Sequence, residues 1–108
     1  MEFVKVADTK DIVKGEMINV EVKGENILIA NVKGNYYAIE GICSHKLGML
    51  AEGVLNGKVV ICPLHQSEFD VTSGKIVNIP FNQEIEGEVR NQKKYELKIE
   101  NNEIFVKI

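Results

Sequence analysis

Apolar and polar residues alternate in short runs at both ends of the chain. Phe3-Val4-Lys5-Val6 alternates, and Ile18-Asn19-Val20-Glu21-Val22 does the same. Successive side chains of a strand point to opposite faces, so a period of two predicts half-buried β-strands. The apolar run Ile27-Leu28-Ile29-Ala30 and the segment Tyr36-Tyr37-Ala38-Ile39 predict two more, each preceded by a turn, at Lys23-Gly24-Glu25-Asn26 and at Lys33-Gly34-Asn35. Near the C-terminus, residues 95–99 and 104–108 flank Asn101-Asn102, whose tolerance of positive φ suits a tight hairpin. Only residues 8–13 and 47–51 could hold a helical turn. The pattern predicts an all-β chain, a sandwich or barrel of antiparallel strands.

Two regions interrupt the meander. Residues 41–80 carry both prolines and much of the glycine, and residues 82–94 (NQEIEGEVRNQKK) predict a polar, exposed excursion before the closing hairpin. The expected architecture is one domain over residues 1–108, with a β base formed by both chain ends and an inserted subdomain at about residues 41–80.

Composition narrows the partners. A length of 108 residues with 44% hydrophobic content suits a globular chain. The net charge of −3, with lysine and glutamate evenly scattered, offers no basic stripe for nucleic acid. A mildly acidic surface is compatible with a partner carrying a basic patch. The start MEFVKVADTK does not read as a signal peptide, and no apolar run approaches the roughly 20 residues that span a bilayer. A soluble, cytoplasmic monomer with no membrane partner is expected.

The candidate chemistry sits in the interruption. The chain's two cysteines and two histidines fall in two short segments, Cys43-Ser44-His45 and Cys62-Pro63-Leu64-His65. Buried cysteines acting as small hydrophobes would not explain that coincidence. A Cys43–Cys62 disulfide suits a secreted chain better than this one. Two metal centres remain. One tetrahedral zinc takes such a set, and so does a [2Fe–2S] cluster with cysteines on one iron and histidines on the other. Zinc fingers tend to cluster ligands of like type, whereas here each segment offers one of each. A mixed pair per loop suits two loops facing each other across two irons.

The boxes CSHKLGMLAEG and CPLHQSEFDVTSGKI resemble those of the Rieske proteins, and Leu50, Glu52 and Gly53 fall in the register common to Rieske-type ferredoxins. The resemblance implies a Rieske-like antiparallel β sandwich base with an inserted cluster-binding subdomain. It implies one [2Fe–2S] cluster per chain, with Cys43 and Cys62 on an inner iron and His45 and His65 on an outer one. Respiratory members staple the two loops with a disulfide; Gly48 and Leu64 stand at those positions here. Gln66 and Leu47 occupy positions where glycine is usual. Ser67 matches a serine that donates to a bridging sulfide in high-potential members, while Phe69 lacks the tyrosine hydroxyl of those members. Pro80 is a candidate cap over the cluster from a third loop. Leu47, Ile61, Leu64 and Phe69 are expected to pack a dry shell about the site.

With no G-x-G-x-x-G opening a helix, and no room for the mononuclear iron domain of the family's oxygenases, the chain is expected to have no catalytic residues. The resemblance implies a one-electron carrier between a reductase and an oxygenase or other oxidoreductase. The alternative is a small Rieske-type subunit of a larger reductase, such as a nitrite reductase.

Overall fold

The N-terminal alternation forms β1 (Phe3–Asp8), and a 3-10 turn at Thr9–Asp11 leads on to β2 (Met17–Val22), β3 (Glu25–Val32) and β4 (Asn35–Glu40). A second 3-10 turn at Leu50–Glu52 precedes four short strands, β5 (Val54–Asn56), β6 (Val59–Ile61), β7 (Glu68–Asp70) and β8 (Ile76–Asn78). The chain closes with β9 (Lys94–Tyr95), β10 (Leu97–Glu100) and β11 (Glu103–Lys107). This computed structural model describes residues 2–44, 48–64, 66–79 and 90–108. Every strand pairing among them is antiparallel, in three sheets ordered β1-β11-β10, β2-β3-β4-β9 and β5-β6-β7-β8. Among the described residues no helix is long and apolar enough to cross a membrane.

The turns follow the sequence closely. Lys23 and Gly24 take φ of 51° and 80°, Lys33 and Gly34 55° and 95°, and Asn101 and Asn102 51° and 64°. Positive φ at both central residues is the hairpin geometry that matches strand twist.

β3 organises the interior because both of its faces are buried. Leu28 and Ala30 look to one side, into a core with Ile39, Cys43, Leu50, Val60, Cys62, Phe69 and Val71. Ile27 and Ile29 look to the other, into a core with Ile12, Ala38, Tyr95, Ile104 and Val106. The middle sheet therefore separates two apolar layers. One fastens the sheet made from both chain ends, and the other fastens the β5–β8 sheet. The two cysteines belong to the second layer.

Within the interruption, Val54 to Asn78 contributes a complete four-stranded sheet whose strands are too short to show a period. Two expectations need correction. Residues 95–99 do not form one strand, because the chain switches sheets at Glu96: β9 pairs with β4 and β10 with β11. The excursion is not exposed throughout: residues 80–89 lie outside the described residues, but Gln92 is only 2% exposed. Its backbone N–H bonds Gly74 O, and its side chain bonds the first ligand segment.

Candidate cluster-binding site

Two loops of matching construction carry the cysteines. In the first, Cys43 N–H donates to Gly48 O at 2.8 Å; in the second, Cys62 N–H donates to Ser67 O at 2.8 Å. Each loop is thus closed by one backbone bond across five residues. The first is hung from the middle sheet by a bridge between Ile42 and Met49 and by Leu50 N–H to Gly41 O. The second joins β6 to β7, where Val60 pairs with Phe69 and Ile61 with Glu68. Gln66 takes a φ of 65°, which explains why glycine is usual at that position.

Both cysteines are fully buried, and no disulfide joins them. Burial first, and then the neighbouring Cys43, push the Cys62 thiol up to about 11, although the Leu64 N–H donates to its sulfur and works the other way. Burial in an apolar wall therefore keeps the Cys62 thiol protonated at neutral pH unless a metal replaces the proton. The loops approach so closely that a Cβ on Gly48 would stand 3.0 Å from Cys62 Sγ and 3.1 Å from Leu64 Cδ1. Gly48 and Leu64, the positions of the respiratory disulfide, therefore face each other across a gap that a side chain on Gly48 would overfill.

His45 and His65 lie outside the described residues, as do Lys46, Leu47 and Pro80. Ser67 is fully buried, and so is Phe69 beneath the loops. Leu64 does not join a dry shell; it is 47% exposed at the tip of its loop. Asp70 shapes a turn, accepting from Thr72 N–H and Thr72 Oγ1 through Oδ1. Among the described residues no group of three or more His, Cys, Asp or Glu side chains gathers for a metal.

The sequence reading missed the strap that ties the first loop down. Ser44 Oγ donates to Arg90 O at 2.6 Å, and Ser44 N–H donates to Gln92 Oε1 at 2.8 Å. Arg90 grips Glu40 with both guanidinium nitrogens, at 2.6 and 3.0 Å, and Lys93 N–H adds a third bond to the same carboxylate. These residues come from a polar run without periodicity, so nothing in the sequence singled them out.

Glu40 gives the strap a pH dependence. The Arg90 guanidinium holds its carboxyl below the usual range; partial burial opposes this and the Lys93 N–H assists it. A carboxyl depressed in the folded state contributes stability that is complete above its unfolded value of about 4.3. That contribution is lost as pH falls through the folded value. Melting temperatures of wild type and Glu40→Gln, followed downward from neutral pH, should converge in acid. Parallel curves throughout would remove Glu40 as a source of acid sensitivity.

Compared with known protein families, residues 2–103 match the Rieske [2Fe-2S] domain. The chain belongs to the Rieske [2Fe–2S] family. Among its relatives is the ferredoxin component of the naphthalene 1,2-dioxygenase/salicylate 5-hydroxylase systems of Ralstonia sp. It is 34% identical over 106 residues, 98% of this chain and 95% of the relative. The ferredoxin component of biphenyl 2,3-dioxygenase from Rhodococcus jostii (strain RHA1) is 39% identical over 80 residues, 74% of this chain and 75% of that one. Among solved structures, the ferredoxin of carbazole 1,9a-dioxygenase from Nocardioides aromaticivorans IC177 superposes with a TM-score of 0.86 at 27% identity. The match covers 98% of this chain and 97% of that one.

This Rieske chain carries a [2Fe–2S] cluster, and its described residues fit one. Two soft sulfur donors stand side by side in a dry wall, and a glycine leaves the space beside one of them open. The Rieske fold thus brings together Cys43 and Cys62, 19 positions apart in the sequence, with Ser67 buried at the far end of the Cys62 loop.

Proposed function

We infer that Cys43, His45, Cys62 and His65 hold the cluster, and that the protein passes single electrons from a reductase to an oxygenase. The observation that carries this reading is the buried, mutually touching pair Cys43 and Cys62 at the head of two matched loops. When bound, the cluster supplies one reversible electron, and imidazole in place of two thiolates makes that electron easier to accept. The polypeptide does the rest. It excludes water from the sulfur side through Phe69, Val60 and Leu50. It presents Pro63 and Leu64, both exposed, beside the second histidine position. The chain is an electron-transfer protein and not itself an enzyme, in line with relatives that are the ferredoxin components of dioxygenase systems.

The partner reading draws support from a solved complex of reduced oxygenase and oxidised ferredoxin in carbazole 1,9a-dioxygenase. This chain resembles that ferredoxin with a TM-score of 0.85 and 27% identity, over 96% of its own length and 91% of the other. Near full-length similarity to a ferredoxin component of dioxygenase and hydroxylase systems favours a carrier over a reductase subunit. We read residues 1–108 as one domain with a cluster-binding subdomain at about 41–80, a division supported by the separate β5–β8 sheet. We place the protein in the cytoplasm, which suits two cysteines that form no disulfide. The test is a redox titration: one electron should be taken up per about two irons and two sulfides. Uptake of no electron would overturn the reading.

Ser67 tunes the potential in this proposal. It is fully buried in the second loop, and its hydroxyl is the candidate donor to a bridging sulfide. A donor to sulfur binds more strongly once the extra electron makes the sulfur more negative. Ser67→Ala should therefore lower the midpoint, by up to roughly 60 mV for a loss near tenfold in a one-electron equilibrium. With Phe69 in place of a tyrosine and no inter-loop disulfide, the midpoint itself should lie in the lower half of the span from roughly −150 to +300 mV. An unmoved midpoint with the cluster intact would leave Ser67 a loop residue.

A further inference from the structure

Gln92 uses every polar atom of its side chain on the first cysteine loop and the end of β4 that leads into it. Its Oε1 accepts from Ser44 N–H at 2.8 Å, and its Nε2 donates to Ile42 O at 2.8 Å and Glu40 O at 3.2 Å. Ile42 O belongs to the peptide unit before Cys43, and Ser44 N–H to the peptide unit after it. One buried carboxamide therefore holds both planes that border the cysteine. The Cys43 N–H, within the first of those planes, is bonded to Gly48 O. With both neighbouring planes held, φ and ψ of Cys43 are set, and so is the direction in which Cα sends Cβ and the sulfur.

Few side chains could do this. The place requires one acceptor and two donors on a planar group at the end of a flexible arm. A glutamate lacks the donors when ionised, and lysine or arginine lacks the acceptor. The orientation of the amide is not in doubt, since the opposite one would set Oε1 against two carbonyls and Nε2 against an N–H.

Gln92 is itself held from the other side. Its N–H donates to Gly74 O at 2.7 Å, and its carbonyl lies 2.1 Å from where a Cβ on Gly74 would stand. Next to it, Asn91 Oδ1 accepts from Ile76 N–H at 2.9 Å. Gly74 lies in the turn between β7 and β8, in the sheet that delivers Cys62. The backbone of Gln92 is thus fastened to the sheet of the second loop, and its side chain to the first loop.

We propose that Gln92 is a positioning residue for the cluster: it orients Cys43 relative to the sheet that carries Cys62, and so sets the geometry in which the two sulfurs meet iron. The proposal rests on Cys43 being a ligand. Gln92 touches no cluster atom through these bonds and acts through the peptide planes around that cysteine.

The test compares full-length, cluster-loaded wild type with Gln92→Met, which keeps length and removes all three bonds, and Gln92→Glu, which keeps the acceptor for Ser44 N–H. Iron and sulfide content, the EPR spectrum of the reduced protein, and bleaching by excess chelator are read together with far-UV melting. Gln92→Met should show displaced g-values with broadened lines. It should bleach about tenfold faster, the scale of one hydrogen bond's net contribution. Gln92→Glu should fall between it and wild type. Wild-type g-values and bleaching in both variants overturn the proposal. So does faster bleaching that only tracks a lower melting temperature while the g-values stay in place, because that is general loss of stability. Should Gln92→Met fail to fold, Gln92→Glu decides by the same criteria. Failure of the underlying reading would look different, since Cys43→Ser would then keep its cluster.

Discussion

Cys62→Ser should yield a colourless protein, with iron and acid-labile sulfide falling from about two each per chain to background. Cys62 is fully buried, and its thiol is pushed up to about 11 by burial and by Cys43. In the proposed ligand set, binding to iron overcomes that penalty because sulfur is soft and the metal stabilises the thiolate strongly. A serine hydroxyl is far harder to deprotonate and a poorer match to iron in a sulfide-bridged cluster, so the same burial works against it without compensation. If Cys43 and Cys62 share one iron, as proposed, the loss is not graded, because a single thiolate cannot hold that iron alone. A buried hydroxyl also costs about 1–3 kcal/mol unless it finds a partner. The variant should therefore melt somewhat below wild-type apoprotein while keeping its β spectrum. Iron and sulfide analysis of anaerobic preparations checks the expectation. A coloured variant with full content would remove Cys62 from the ligand set.

Gly53→Ala should destabilise the β5–β8 sheet by about 3 kcal/mol or more, at the top of the range for overpacking. A Cβ at that position would stand 1.9 Å from Ile61 O and 3.1 Å from Pro63 Cδ. The nearest atom is a backbone carbonyl in β6, not the end of a flexible side chain, so relief requires moving a strand. Val54 pairs with Ile61 in that ladder, and Cys62 follows Ile61 directly. The displacement would carry the ligand with it. For a chain of this length the expected fall in melting temperature is roughly 12 °C or more. Cluster occupancy should fall as well. A melting temperature within about 2 °C of wild type would mean that the two strands part at little cost.

The strap explains why these two changes fall in one mechanical unit. Gly74, Gln92 and Ser44 link the β7–β8 turn to the first loop, as Gly53 and Ile61 link the two sides of β5 and β6. A change on one side reaches a cysteine through the Gln92 carboxamide, and on the other through backbone contact.

Much of this protein was legible in its sequence because the relevant forces are local. Alternation at residues 3–6 and 18–22 placed β1 and β2, since a strand with one buried face must repeat every two residues. Lys23-Gly24, Lys33-Gly34 and Asn101-Asn102 announced their turns because positive φ restricts the residue types that fit. The paired cysteine and histidine segments announced a metal because few other demands put those side chains together. Where the determinant was a long-range contact, the sequence carried no mark of it. The switch of sheets at Glu96 depends on which neighbour offers a free edge, β4 or β11, and the run Tyr95-Glu96-Leu97 looks like one strand either way. The strands of the β5–β8 sheet are three residues each, too short to display a period. Gln92 is one glutamine in a polar run, and only the fold brings its carboxamide against Ser44 and Ile42. The sequence by itself determined which side chains can bind iron, because ligand chemistry resides in the residue. The tertiary structure alone decided how the cysteines are aimed, because that depends on hydrogen bonds from residues roughly 50 positions away.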